Sequence, residues 1–113
     1  MGRIMLATSA STDEEYGGTT GTYKKISSNI TDVAISSPIG SLYFADVNVD
    51  ITSLGLSNAP TEVLVSYTTV LGQGVAPISV VVSNSTTTAV TVRLFRTDNN
   101  QKATGKITLL IPD

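Results

Sequence analysis

A two-residue alternation of apolar and polar side chains dominates the centre of this 113-residue chain, between Thr61 and Arg96. Such an alternation is typical of half-buried β-strands, and the Val, Ile, Thr and Tyr residues that form it suit a pleated surface. No run of comparable length places apolar residues at the i, i+3, i+4 and i+7 spacing of an amphipathic helix. The core is therefore predicted to be a sheet. The inward-facing residues are expected to be Val63, Val65, Tyr67, Ile78, Val80, Val82, Val90, Val92 and Leu94.

Short strands separated by turns at roughly 8–12-residue intervals predict an all-β fold, an antiparallel β-sandwich or jelly-roll. Within 42–51 the parity of the apolar residues changes, and a β-bulge near Ala45 and Asp46 would keep them all on one face. The glycine-bearing stretch 71–74 is expected to be a flexible loop. Besides the central runs, strands are predicted at 23–26, 32–36, 42–51 and 106–111.

The first forty residues differ in composition from the rest of the chain. We expect 1–40 to form an N-terminal arm with short strands and a Ser/Thr/Gly-rich loop. Residues 41–113 are expected to form the β-sandwich core, with the arm packed on it in one domain. Arg3 and the apolar residues after it resemble the start of an export signal, but the run is shorter than the roughly 7–15 residues that such signals use. The N-terminus is therefore interpreted as a short first strand or an ordered arm.

The composition argues against several classes of function. The net charge is −2 and the seven Lys and Arg residues form no stripe, so a nucleic-acid partner is not expected. No apolar stretch approaches the roughly 18 residues of a membrane span. The chain has no His and no Cys, which removes Ser-His-Asp and Cys-His nucleophilic systems and most zinc sites. We expect no catalytic residues, no cofactor and no metal ligands.

Asp46 and Asp50 are the carboxylates to consider first as a catalytic pair or as metal ligands. At about 3.3 Å per strand residue they would lie roughly 13 Å apart, beyond the roughly 5–9.5 Å of catalytic pairs. Together with Asn48 they match the start of a calcium loop, but Ile51 and Ser57 occupy the positions that require Gly and Glu. The interleaved valines predict instead a strand with these polar residues on its solvated face.

Several apolar residues fall on the parity opposite to the predicted core. Arg93 and Phe95 alternate with the inward residues of their run, and Val81 and Leu110 also point outward. A phenylalanine and aliphatic residues among threonines are typical of a subunit interface. The alternative is that both faces are covered within one chain. We predict self-association, with Val81, Arg93, Phe95 and Leu110 as interface candidates.

Four segments, 47–51, 56–66, 82–93 and 104–111, share their order and spacing with a known family. They include the run Ser57 to Pro60 before a valine-rich strand and the run from Val82 to Arg93, which contains three consecutive threonines. Over about 60% of its length the chain resembles the knob domains that end bacteriophage tail fibres and related receptor-binding proteins. Val90 stands where that family usually has an aromatic residue, and the closing strand lacks its Trp and terminal Gly.

The resemblance implies a non-enzymatic virion structural protein, a homotrimeric knob on the exposed surface of a phage particle. It implies that tip loops contact a host-surface glycan or protein. The candidates for that contact are Gln73, Asp98, Asn99, Asn100 and Gln101. One alternative is a capsid decoration or head-fibre protein that binds other virion proteins. Another is a monomeric bacterial carbohydrate-binding module.

Overall fold

The computed structural model describes residues Glu15–Tyr16, Thr19–Thr20 and 23–112, and strands account for most of them. A short 3₁₀ turn at Thr52–Leu54 interrupts the series. In chain order the strands are β1 Glu15–Tyr16, β2 Thr19–Thr20, β3 Tyr23–Ile35, β4 Ser37–Ile39, β5 Leu42–Asp50, β6 Leu64–Gly74, β7 Ser79–Ser85, β8 Ala89–Arg96 and β9 Gln101–Pro112.

Two antiparallel sheets pack face to face, which confirms the predicted all-β sandwich. The three-stranded sheet has the order β3-β9-β6, and the four-stranded sheet has the order β4-β5-β8-β7. Strands β1 and β2 form a separate antiparallel pair. Consecutive strands often belong to different sheets, so the chain crosses repeatedly between the two layers.

The core lies between the two sheets, and their central strands β8 and β9 supply most of its fully buried side chains. Burying a Val, Leu or Ile side chain contributes about 1.5–3 kcal/mol each. The predicted inward parity is confirmed for β6, β7 and β8, but Ile78 is exposed because it precedes β7 in a bend. The buried residues of the central strands are Val90, Val92, Leu94, Ala103, Ile107, Leu109 and Ile111.

The prediction of a bulge near Ala45 and Asp46 is wrong. Strand β5 pairs with β8 in one unbroken register from Tyr43 to Asp50. Ala45 therefore faces the core on the odd-numbered parity, and Phe44 faces outward opposite Phe95. The outward position is tolerated because the side chains of β8 cover part of the Phe44 ring.

The two short strands predicted at 23–26 and 32–36 are one strand, β3, which pairs with β9 over most of its length. Thr31 and Asp32 form a bulge opposite Thr104, with Asp32 at φ 49°. The Asp32 backbone N–H donates a 2.9 Å hydrogen bond to Thr104 Oγ1, which occupies the gap that the bulge leaves in the ladder. Residues 23–39 of the expected arm thus lie in the sandwich sheets, whereas residues 1–14 lie outside the described residues.

The prediction of a flexible loop at 71–74 is also wrong, because these residues belong to β6, which continues to Gly74. The pairing with β9 is interrupted after Thr69 and resumes where Gly74 meets Ala103. Gly74 has φ 75°, and a Cβ there would lie 2.5 Å from the Lys102 carbonyl oxygen, so glycine permits this close approach. Strand β9 correspondingly starts at Gln101, earlier than the predicted 106.

Candidate functional site

One end of the sandwich brings together the β6–β7 loop and the β8–β9 loop, and we call residues 75–78 and 97–100 the loop end. Arg96 joins the two loops. Its Nε and Nη2 donate to the two carboxylate oxygens of Asp98 at 2.7 and 3.0 Å. Its Nη1 donates to the backbone carbonyl of Ala76. This guanidinium therefore links the two loops, and the backbone N–H of Ile78 adds a 2.8 Å hydrogen bond to the Phe95 carbonyl.

The electrostatics of this contact keep both partners charged. The hydrogen bond from Arg96 holds the pKa of the Asp98 carboxyl below its usual range, and the same bond raises the pKa of Arg96. A bidentate pair of this kind is geometrically specific. The loop end is thus held by a neutralised charge pair at neutral pH.

Backbone and amide contacts fix the rest of the β8–β9 loop. Asn100 has φ 59°, a conformation that asparagine tolerates better than most residues. Its N–H donates to the Ile35 carbonyl at 3.1 Å. The Gln101 side-chain amide donates to the Asn99 carbonyl at 3.3 Å. Asp98, Asn99 and Asn100 are exposed, so polar groups are displayed on a backbone of defined shape.

Gln73, the remaining receptor-contact candidate, lies in β6, and the structure describes its backbone but not its side chain. The end of β6 adjoins the start of β9, because the Val75 N–H donates to the Lys102 carbonyl at 2.9 Å. The candidates that the sequence placed in two separate loops therefore belong to the same end of the sandwich. Their role in recognition stays a prediction.

The outer face of the four-stranded sheet carries a second candidate surface, built on cross-strand pairs of β5 and β8. Phe44 and Phe95 are register partners with ring centroids 6.5 Å apart. The Arg93 guanidinium lies 4.0 Å from the centre of the Phe44 ring and pairs with both carboxylate oxygens of Asp46 at 2.8 and 3.0 Å. This pairing lowers the pKa of Asp46.

Apolar side chains from all four strands surround this cluster. Ile39 is the register partner of Leu42, and Val81 is the register partner of Arg93. Alternation along each strand places these residues on the same face as Phe44 and Phe95. We call this surface the apolar strip, formed by Ile39, Leu42, Phe44, Val81 and Phe95.

The sequence-predicted interface residues divide between the two outer faces. Val81, Arg93 and Phe95 lie at the apolar strip, but Leu110 lies on the outer face of the three-stranded sheet, beside Leu64. Phe44 was not among the predicted interface residues, because the expected bulge would have turned its side chain inward. Plain parity along β5 is the signal that would have found it.

The polar residues of β5 lie on its solvated face, as predicted, and they have hydrogen-bond partners there. Asn48 Oδ1 accepts a 2.7 Å hydrogen bond from Thr91, and Asp50 accepts one from the Thr52 N–H at 2.9 Å. Among the described residues, no group of three or more His, Cys, Asp or Glu side chains could hold a metal ion. No helix in that part of the chain is long and apolar enough to cross a membrane.

A shallow groove of about 400 Å³ lies away from both surfaces, where the segment after the 3₁₀ turn meets the end of β9. It is lined by Asn58, Ala59, Pro60, Thr61, Glu62 and Pro112.

Comparison with models of protein families, with curated proteins and with solved structures finds no match to this chain.

Proposed function

We propose that this protein is a non-enzymatic structural component of a phage virion, of the tail-fibre knob type. In this role it attaches the particle to a glycan or protein on the host cell surface and is displayed on the exterior of the virion. The observation that supports this proposal most directly is the loop end, where Arg96 ties two loops together on a rigid sandwich. Loops held on a rigid scaffold are a common place for recognition residues.

The chemistry of the loop end suits a hydroxyl-rich ligand. Asn99 and Asn100 are exposed and carry amides that both donate and accept hydrogen bonds. The backbone beneath them is already ordered by the contacts of Arg96, Asn100 and Gln101. Binding therefore costs less ordering entropy than it would for a flexible loop.

Attachment of this kind benefits from several copies acting together. The resemblance to tail-fibre knobs implies a homotrimer, and the apolar strip offers a surface for assembly. When several identical sites engage one cell surface, a weak individual contact becomes a strong collective one. We therefore propose a homo-oligomer, most simply a trimer, that presents its loop ends in the same direction.

A second candidate function is a capsid decoration or head-fibre protein that binds neighbouring virion proteins. The observation that favours it is a second apolar site on the opposite outer face, where Leu64 and Leu110 are register partners. With apolar surface on both outer faces, one chain could contact two different neighbours.

The test is binding of the labelled protein to a panel of bacterial cells and to surface polysaccharides purified from them. The loop-end variant combines Asn99→Ala with Asn100→Gly, which removes two amides but preserves the Arg96 contacts and the positive φ. We expect saturable binding to some cells of the panel, weakened about tenfold or more in the variant. The matched control is Asn29→Ala, at an exposed asparagine of β3.

Each other outcome has a defined meaning. Unchanged binding by the loop-end variant would show that the loop end is not the recognition surface. No binding to any cell, together with binding to purified phage capsids, would replace the attachment proposal by the decoration proposal. Polysaccharide binding by a monomer would favour a carbohydrate-binding module.

A further inference from the structure

We infer that the apolar strip is the surface through which copies of this chain assemble, with the strips of all copies directed toward a common symmetry axis. This inference deepens the proposed function, since it rests on a homo-oligomer and names the surface that forms it. The occupant is a second copy of this chain rather than a different molecule.

The strip is exposed to solvent at its two edges. Ile39 on β4 and Val81 on β7 are 42% and 40% exposed, and Leu42, Phe44 and Phe95 between them are half-buried. The strip thus has a member on each of the four strands and crosses the sheet diagonally, with Ser37 and Ser79 beside Phe44 and Phe95. A contiguous apolar patch that contains aromatic side chains marks an interaction surface.

The charged side chains next to the strip are paired. Arg93 and Asp46 are register partners joined by two hydrogen bonds, so the cation and the anion beside the strip neutralise each other. This neutral pair does not favour an acidic or a basic partner, and it does not repel a second copy. Asp50, the next acidic residue on the outward positions of β5, lies four residues beyond Asp46.

The other outer face carries a different set of side chains. There the central strand β9 carries Lys102 and Lys106 on its exposed positions, on either side of the bulge. Two copies that met through that strand would bring like charges together, which is unfavourable. The strip has its aromatic residues in the corresponding central position. Of the two outer faces, the strip is therefore the one suited to a second copy.

The experiment places the same substitution at three equally exposed apolar positions. Ile39→Lys and Val81→Lys put a charge on the strip, and Val70→Lys puts one on β6, where Val70 is 43% exposed. Oligomer dissociation is measured by analytical ultracentrifugation between about 1 and 100 µM. We expect each strip variant to raise the dissociation constant at least about hundredfold, because a buried unpaired charge is costly. The Val70→Lys variant should assemble like the unmodified protein.

Assembly should also persist at about 0.5 M NaCl, since apolar contact is not screened by salt as exposed ion pairs are. Thermal melting followed by circular dichroism checks that each variant is folded. If a lysine variant does not fold, Ile39→Thr with Val81→Thr keeps the β-branched shape and removes apolar surface. That double variant should weaken assembly about tenfold, whereas Val70→Thr should not change it.

Two results would overturn the inference. If Val70→Lys dissociates the oligomer and the strip variants do not, assembly uses the three-stranded sheet, and the proposed homo-oligomer stands with another interface. A monomer at 100 µM would overturn both this inference and the oligomeric part of the proposed function. Binding to cells, measured on the same samples, tests the recognition proposal independently of the oligomeric state.

Discussion

At the scale of single residues, the most unusual contact is that between Tyr67 and Gly105. Tyr67 lies on the inner face of β6, and its ring covers the backbone of Gly105 in β9. A Cβ at position 105 would lie 2.5 Å from the Tyr67 hydroxyl oxygen and 2.4 Å from the Thr68 carbonyl oxygen. The absence of a side chain at Gly105 therefore makes room for the tyrosine. Burial raises the pKa of Tyr67, because the charged form is poorly solvated there.

The Tyr67 hydroxyl is buried without a hydrogen-bond partner in the described part of the chain. Since a buried and unpartnered polar group costs free energy, we expect Tyr67→Phe to raise the free energy of unfolding by about 1 kcal/mol. Urea unfolding followed by circular dichroism measures this change. The control, Tyr43→Phe in β5, should give no such gain. A loss of stability in Tyr67→Phe would mean that a buried water satisfies the hydroxyl.

At the scale of elements, β3 and β9 form the longest pairing of the fold, and its one irregularity is the bulge at Thr31 and Asp32. The buried Thr104 hydroxyl accepts a hydrogen bond from the Asp32 N–H, which would otherwise have no partner in the ladder. The Thr104 side chain thus allows β3 to continue as a single strand from Tyr23 to Ile35.

Thr104→Val keeps the shape of the side chain but removes this acceptor. We expect the free energy of unfolding to fall by about 1–3 kcal/mol, because the Asp32 N–H is left unsatisfied. Thr104→Ser retains the hydroxyl and should lose only about 0.8 kcal/mol for the missing methyl group. Equal losses in the two variants, measured by urea unfolding, would contradict the role of the hydroxyl in the bulge.

The β8–β9 loop predicts an acid dependence of stability. The folded-state pKa of Asp98 is lowered by Arg96, so its contribution is present above the unfolded-state pKa of about 3.9 and is lost as the pH falls through the folded value. The melting temperature of Asp98→Asn should therefore lie below that of the unmodified protein at pH 7. The two should converge in acid, as the pH falls below the unfolded-state pKa and through the lower folded-state pKa. A difference that is independent of pH would contradict this linkage.

At the scale of the whole molecule, the fold is dominated by pairings between distant parts of the chain. Tyr23 is the register partner of Pro112, and β9 is the central strand of its sheet although it follows the other described strands in sequence. The core between β8 and β9 therefore forms only after long stretches of chain have come together. Folds with such topology lose much loop entropy before contacts compensate for it.

We accordingly expect refolding from urea to take milliseconds to seconds rather than microseconds, as is typical of β-sandwiches. If the apolar strip joins copies, a later phase should accelerate with protein concentration, and Val81→Lys should remove that phase only. Stopped-flow fluorescence of the tyrosines measures both phases. Folding complete within microseconds would contradict the non-local character of the fold.

Local patterns in the sequence determined the fold class and the inward residues of β6, β7 and β8. They did so because alternation decides which side chains share a face, and Val90, Val92 and Leu94 carry that information themselves. The polar loop predicted at 97–101 is exposed at 97–100, whereas Gln101 is half-buried and begins β9. These features depend on the nearest neighbours along the chain.

Tertiary structure alone decided the pairing of strands and, with it, the outer surface to which each outward residue belongs. Alternation cannot tell that Leu110 and Phe95 lie on opposite sides of the sandwich, because that depends on which sheet each strand joins. The continuity of β3 through its bulge required the Thr104 hydroxyl, 72 residues away from Asp32. The geometry of the loop end likewise depends on the contact of Arg96 with Ala76, 20 residues away in the neighbouring loop. In each case the deciding interaction joins residues far apart in sequence, and only the packed chain brings them into contact.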